Sequence, residues 1–335
     1  MGISHSIANP MPGQLEVSQV CLPVVENTPA YSGFDQRFAA GEITVVLGAN
    51  QSGKTDLCRL IAGLNTRATG ETHLDGEMIS HVPTQRRPVA MVYQAFVNYP
   101  NLTVAENIAS PLRARSATSI EIETTVTDLA RRLAIDDLLN RYPHELSGGQ
   151  QQRLAIARAL AKQARVLLLD EPLVNLDFKL REALELELRE LLGAMGTVVI
   201  YTSSDPRDAF KLADQLLLLE QGRKIQAGAP MDVYRDPVSP RAMELLADPG
   251  VNYLHQDGVM CALRPEHVVV LRKPTETREL LFDMAVTAFE TSGDETFIYG
   301  RVADQQWVVR SEGIVAVEPG TSLQLGAAAT DVVKF

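Results

Sequence analysis

The run Ile43-Thr44-Val45-Val46-Leu47 ends directly in Gly48-Ala49-Asn50-Gln51-Ser52-Gly53-Lys54-Thr55. The run is short, apolar and β-branched, and a helix-compatible segment from Lys54 to Leu64 follows. That is the strand–loop–helix setting of a phosphate-binding loop. In such a loop, backbone N–H groups must point at anionic oxygens with no side chain in the way. Gly48 and Gly53 meet that need, Lys54 adds a cation for the β- and γ-phosphates, and the Thr55 hydroxyl can ligate magnesium. Asn50, Ser52 and Asp56 complete the expected nucleotide contacts. By average composition the pattern arises by chance in on the order of one chain in a hundred of this length, so it needs support from elsewhere.

Two further segments give that support. Val166-Leu167-Leu168-Leu169-Asp170-Glu171-Pro172 reads as a buried strand that ends in two carboxylates. Ligands of parallel α/β sheets lie beyond the carboxyl ends of the strands. Asp170 is therefore expected at the metal, and Glu171 is expected to polarise the attacking water. Gln94 ends another apolar run, Pro88–Tyr93, and is expected to reach the metal or the water. The third segment is Leu146-Ser147-Gly148-Gly149-Gln150. Ser147 can cap the helix that follows, and the two glycines, Gly148 and Gly149, let backbone amides approach an anion, with Gln150 next to them in the segment.

The alternating elements extend further. Strand signals return at Val166–Leu169, Thr197–Tyr201 and Gln215–Leu219, with a helical stretch Phe178–Leu192 between the first two. Glu185 and Arg189 on that stretch have the i,i+4 spacing of a helix-favouring pair. This alternation implies a parallel sheet covered on both faces. From Thr103 to about Lys162 the period is mostly helical, which predicts a helical subdomain over about 95–163. After Pro237-Val238-Ser239-Pro240 the pattern becomes short alternating runs with turns at Gly293-Asp294, Asp304-Gln305 and Pro319-Gly320. That predicts a small all-β barrel or sandwich. The expected organisation is a mobile N-terminus over 1–14, an α/β domain over 15–238 and a β domain over 239–335.

Composition narrows the function classes. The 335 residues carry a formal net charge of −11, which opposes binding to a phosphate backbone, so no nucleic-acid partner is expected. Three cysteines, Cys21, Cys58 and Cys261, are far apart and suggest no disulfide framework. No apolar run approaches the ~18 residues that suggest a membrane span. Met1-Gly2-Ile3-Ser4-His5-Ser6 matches a loose myristoylation pattern, but it is read as a frayed terminus. Arg86-Arg87 reads as a solvated basic pair, and Trp307 as packing for the β domain. The six histidines show no metal-ligand spacing.

Residues from about 15 to 335 resemble the ATP-binding subunit of bacterial ABC importers for carbohydrates and polyols. That group includes maltose and glycerol-phosphate importers. The resemblance rests on the three segments above, on Tyr93-Gln94, on Tyr99-Pro100-Asn101-Leu102-Thr103-Val104 with Glu106-Asn107-Ile108, and on Tyr142-Pro143-His144-Glu145. It also rests on Asn175-Leu176-Asp177 and Leu263-Arg264-Pro265-Glu266-His267. The run Asn107–Arg113 looks most like the glycerol and related polyol importers. The resemblance implies a P-loop ABC nucleotide-binding domain with a helical subdomain, plus a small C-terminal OB-like β domain. It implies ATP and Mg2+, and a second ATPase subunit that closes face to face with this one. Each ATP would lie between one phosphate loop and the other subunit's Ser147–Gln150 segment. It further implies two membrane-spanning permease subunits that meet residues around Gln94 to Pro100, a solute-binding protein acting indirectly, and a peripheral place at the cytoplasmic face of the inner membrane.

Three positions depart from that family. Ser204, in Thr202-Ser203-Ser204-Asp205, stands where the family has a histidine that contacts the γ-phosphate. Serine is shorter and cannot become cationic. Asp56 stands where a small hydroxyl residue usually follows the metal-binding threonine, and its carboxylate faces phosphate oxygens unless it turns away. The aromatic that stacks on adenine is expected near Val24-Val25, where none exists, and Tyr31 comes a few residues late. All three belong to the site built by this chain's own phosphate loop, whereas Ser147–Gln150 is intact. The pattern favours a heterodimer in which this chain's own site turns over slowly. The alternative is a homodimer that tolerates Ser204. Two other functions compete: a soluble ABC ATPase of DNA repair or translation, and a regulatory ATP-binding protein. The chain lacks the coiled-coil insertion of the repair type and the second cassette of the translation type. A regulator would leave Tyr99–Ile108 unexplained.

Overall fold

A computed structural model describes residues 13–23, 31–174, 178–256, 258–271 and 278–335. Most of the expected mobile N-terminus (residues 1–12, with its acylation-like pattern), the Val24-Val25 position and Asn175-Leu176-Asp177 lie outside the described residues. The chain divides into two compact units, Met1–Val233 and Tyr234–Phe335.

The first unit opens with strands that the hydrophobic pattern had not declared. β1 (Gln14–Leu22) pairs antiparallel with β2 (Tyr31–Ala39). Leu15, Val17, Val20 and Leu22 turn one face of β1 into the core. A register shift between Val17 and Val20 breaks the simple period of two. β3 (Ile43–Leu47) is buried on both faces and leads to α1 (Lys54–Ile61), as expected, although the helix stops short of Leu64. β4 (Thr69–Leu74) and β5 (Glu77–Met78) complete an antiparallel sheet in the order β2-β1-β4-β5.

β6 (Val89–Val92) enters the second sheet. The helical region follows as α2 (Val104–Ala114), α3 (Ser119–Arg132) and α4 (Gly148–Ala161). Thr103 and Glu106 form a reciprocal capping box on α2, and Ser147 and Gln150 form another on α4. The chain then runs through β7 (Val166–Asp170), α5 (Phe178–Gly193), β8 (Val198–Ser203), α6 (Pro206–Leu212), β9 (Gln215–Glu220) and β10 (Arg223–Gly228). The sheet order is β10-β9-β3-β8-β7-β6, parallel except where β10 pairs with β9. Strand order changes around β3, so the carboxyl ends of β3, β7 and β8 converge on one place. α7 (Pro230–Arg235) spans the division between the units.

Two local expectations are corrected. Glu185 does not pair with Arg189. Its carboxylate takes Arg181 at 2.8 Å and Lys211 at 2.7 Å, whereas Arg189 bonds Asp214 at 2.6 Å. Helical spacing permits both partners, and α6 and the approach to β9 decide between them. Arg87 is not solvated. It is buried and donates to the carbonyls of Leu60, Ile61, Ser80 and Val82.

The second unit begins within α7, carries α8 (Pro240–Leu245) and is built mainly of antiparallel β pairs. β11 (Asn252–Gln256), β12 (Val259–Leu263) and β18 (Val333–Lys334) form one small sheet. β13 (Val269–Val270), β14 (Leu280–Thr291), β15 (Glu295–Val302), β16 (Gln305–Glu312) and β17 (Ser322–Ala327) form the other. The curled all-antiparallel arrangement agrees with the OB-like expectation. Trp307 sits in the core with Met284, Ile298 and Leu325, and its indole N–H donates to Tyr253 O at 2.9 Å.

Candidate active site

The phosphate loop is shaped by close approach. A Cβ at Gly48 would lie 2.2 Å from the Leu219 carbonyl and 2.5 Å from Ser52 Oγ, so only glycine fits. Gly53, at φ +108°, takes a backbone that side chains resist and caps α1. Tyr31, buried at the start of β2, donates its hydroxyl to Gly53 O at 2.8 Å. It props the loop from below. Burial, with the nearby Asp56 charge, keeps its phenol well above its ordinary range.

Lys54 folds back over this loop. Its Nζ donates to Gly48 O at 2.7 Å and Ala49 O at 2.9 Å, and it lies 3.2 Å from Glu171 Oε1. Ser52 Oγ is buried with no partner, which is what a donor reserved for an anion looks like. Asn50 is exposed at the rim. Asp56 has turned inward and is 8% exposed. Burial raises its carboxyl above the usual range, the Asp170 charge adds to this, and Arg59 opposes it.

Asp170 closes β7, and its Oδ1 accepts from Thr55 Oγ1 at 3.0 Å and Thr202 Oγ1 at 2.9 Å. Burial pushes its carboxyl up, and the two hydroxyl bonds oppose that shift. Glu171 follows at φ +44°, a strained backbone for a side-chain-bearing residue, held by its N–H on Thr202 Oγ1 at 3.0 Å. Gln94 donates to Glu171 Oε2 at 3.4 Å. Thr202 was missed by motif reasoning. Its signal is positional: it sits next to the last residue of β8, beside Asp170 in register.

Thr55, Asp170 and Gln94 offer a hydroxyl, a carboxylate and an amide carbonyl. An all-oxygen donor set this small suits magnesium, which keeps several of its waters. The residues present therefore fit the expected ion.

The loop after β8 brings Ser204 to the same place. Ser204 and Glu171 line one cavity of about 20 Å³, enough for a single water. Ser203 Oγ donates to Asp208 Oδ2 at 2.5 Å and accepts from Asp205 N at 2.9 Å, which fixes the loop. Asp205 caps α6 through Arg207 N at 3.0 Å.

The other candidate residues form a separate group. Ser147 Oγ accepts from Gln150 N at 3.4 Å and Gln150 Oε1 from Ser147 N at 3.0 Å. Among the described residues, none of their hydrogen bonds reaches Lys54, Asp170 or Glu171. The phosphate loop and the Ser147–Gln150 segment are therefore two separate groups of candidate residues. His144 stacks on Tyr142 with ring centroids 5.8 Å apart, a packing role.

A glycine-flanked loop between β3 and α1, with Asp170 at the end of a parallel strand, defines a P-loop nucleotide hydrolase. The ABC transporter family profile matches residues 31–174, and the TOBE domain profile matches 261–335. The chain is 38% identical over 285 residues to the sn-glycerol-3-phosphate import ATP-binding protein UgpC of Rhodopseudomonas palustris strain HaA2, covering 81% of this chain and 78% of that one. It is 33% identical to the proteins of the same name from Cupriavidus necator and Cupriavidus metallidurans. Those matches cover 90% and 96% of this chain, and 92% and 96% of the relatives. The chain belongs to the ABC transporter family, as an ATP-binding subunit whose hydrolysis is coupled to transport. No helix among the described residues is long and apolar enough to cross a membrane.

Proposed function

We propose that this chain powers import of a sugar, polyol or glycerol-phosphate solute, with residues 15–238 as its ATPase domain and 239–335 as its OB-like β domain. The observation that carries the reading is the convergence of Lys54, Thr55, Asp170, Glu171 and Gln94 at the ends of β3, β6 and β7. The relatives' names supply the solute class. Lys54 and the loop amides bind the phosphates. Thr55, Asp170 and Gln94 would hold Mg2+, which supplies charge neutralisation at the β- and γ-phosphates. Glu171 orients the attacking water, and Ser147–Gln150 serves the nucleotide of a facing subunit.

The chain works at the cytoplasmic face of the membrane, on two permease subunits. Val97 and Tyr99 are 52% and 49% exposed beside Gln94. The Asn107 amide holds the loop by donating to the carbonyls of Tyr99, Leu102 and Thr103 at 2.9–3.1 Å, and Arg158 lies over the Tyr99 ring at 4.6 Å. An apolar tip on so rigid a loop suits docking by a permease. Tyr99→Ala is expected to weaken recovery of permease subunits with this chain at least tenfold while ATP binding is unchanged. Isolation from native membranes in mild detergent tests both points, and recovery without any integral membrane partner would defeat the transport reading.

Ser204 supports a heterodimer in which the partner site hydrolyses quickly and this one slowly, whereas Asp56, turned inward, adds nothing to that reading. Loss of one positioning group costs about 10²–10³ in rate. Ser204→His is expected to accelerate the slow phase of single-turnover ATP hydrolysis tenfold or more in the assembled transporter. A single phase, with only copies of this chain in the complex, would show a homodimer instead.

A further inference from the structure

Arg181, in the first turns of α5, is the hub of a charge cluster that motif reasoning did not use. Its Nη2 lies 2.7 Å from Asp208 Oδ1 and 2.9 Å from Asp205 Oδ2, and its Nε donates to Glu185 Oε1 at 2.8 Å. Lys211 holds the other Glu185 oxygen at 2.7 Å. The side chains of Asp208 and Glu185 are only 3% and 4% exposed. Asp205 and Asp208 flank the loop that presents Ser204, and Asp208 also takes the Ser203 hydroxyl. Arg181 also lines the cavity shared by Glu171 and Ser204, the one cationic side chain to do so among the described residues.

This arrangement has a mechanical consequence. The loop between β8 and α6 carries Thr202 at one end, which holds Asp170 Oδ1 and the Glu171 N–H. At the other end it is tied by two carboxylates to a guanidinium on α5. A planar guanidinium with several donors in a fixed fork can hold two acceptors in set directions, whereas a lysine ammonium cannot. Arg181 therefore fixes where Ser204 and the backbone beside Glu171 stand. Without it, Asp205 keeps Arg207 and Glu185 keeps Lys211, but among the described side chains buried Asp208 keeps only the Ser203 hydroxyl.

We propose that Arg181 is a positioning residue for hydrolysis at this chain's own site, acting through the Ser203–Asp205 loop on the geometry around Glu171. The proposal rests on the reading of that site as an ATP site. The test is single-turnover hydrolysis by the assembled transporter, with bound ATP counted per site and thermal unfolding followed in parallel. Arg181→Gln is expected to slow this chain's hydrolysis phase tenfold or more per bound nucleotide, with the ATP dissociation constant within about threefold. Arg181→Lys is expected to keep an intermediate rate. The double variant Arg181→Met/Asp208→Leu removes the buried carboxylate together with its counter-charge and is expected to recover unfolding temperature without recovering rate. Recovery of rate together with stability, or an unchanged rate per bound nucleotide in Arg181→Gln, would overturn the proposal. The number of phases in the unmodified transporter reports the heterodimer reading separately. Failure to bind ATP at this chain's loop would defeat the site reading itself.

Discussion

Lys54→Ala is expected to lower ATP affinity at this chain's phosphate loop by about 30-fold to several thousand-fold. The range follows from the roughly 2–5 kcal/mol cost of truncating one partner of a buried hydrogen-bonded charge pair, at about 1.4 kcal/mol per tenfold. Two effects add. The substitution removes the cation aimed at the β- and γ-phosphates. It also leaves Glu171, 11% exposed and 3.2 Å from Nζ, without its counter-charge and facing an anionic ligand. Combining Lys54→Ala with Glu171→Gln separates the two, because the amide removes the repulsion but not the loss of the cation. Part of the affinity should return in the double variant. Titration with a fluorescent ATP analogue, with and without Mg2+, measures each step. Equal affinity in Lys54→Ala and the unmodified chain would mean that ATP binds elsewhere.

Arg87→Met is expected to destabilise the first unit by about 3–5 kcal/mol, since each buried acceptor left unpaired costs roughly 1–3 kcal/mol. The guanidinium donates to Leu60 O at 3.3 Å, Ile61 O at 2.8 Å, Ser80 O at 2.6 Å and Val82 O at 2.9 Å. Two of these are last-turn carbonyls of α1; Leu60 O also accepts from Gly63 N at 2.9 Å, so Ile61 O is the helix-end carbonyl that depends on Arg87. Burial pushes the Arg87 guanidinium below its usual range, yet its charge at the helix C-terminus is favourable. Arg87 thus anchors, from the far end, the helix whose first residues are Lys54 and Thr55. A fall in unfolding temperature on the order of 10 °C is expected. Arg87→Lys should recover less than half of it, because a single ammonium cannot reach carbonyls on both sides. A change under 2 °C, read by calorimetry, would show that the carbonyls of Ile61, Ser80 and Val82 find water instead.

The elements legible in the sequence are those whose burial is uniform or strictly periodic. β3, β7 and β9 each carry four apolar residues in five or six, and α2 and α4 announce themselves through Thr103/Glu106 and Ser147/Gln150 caps. β15 alternates buried and half-buried positions over most of its length, the period expected of the C-terminal runs. β1 and β2 were not legible, because a shifted register and exposed positions blur the period of two. β11, β12 and β18 leave little local signal because they are short and close a sheet through distant pairing, Cys261 with Lys334. The pairing of Glu185 followed the same rule: α5 offered two partners at helical spacing, and the neighbouring helix chose.

The sequence by itself determined the chemistry. A glycine-flanked loop with Lys54 and Thr55, and a strand ending in Asp170-Glu171, carry their roles in residue type and spacing, because backbone geometry within a few residues fixes what they can hold. Only the tertiary structure decided what surrounds that chemistry. It placed Thr202 between Asp170 and Glu171, Tyr31 beneath Gly53, Arg87 at the end of α1, and Arg181 across the loop that presents Ser204. Each of those contacts joins residues about 20 to more than 30 positions apart. No local period or propensity encodes such a partnership. It is set by which strands lie side by side and by the need of every buried polar group to find a partner.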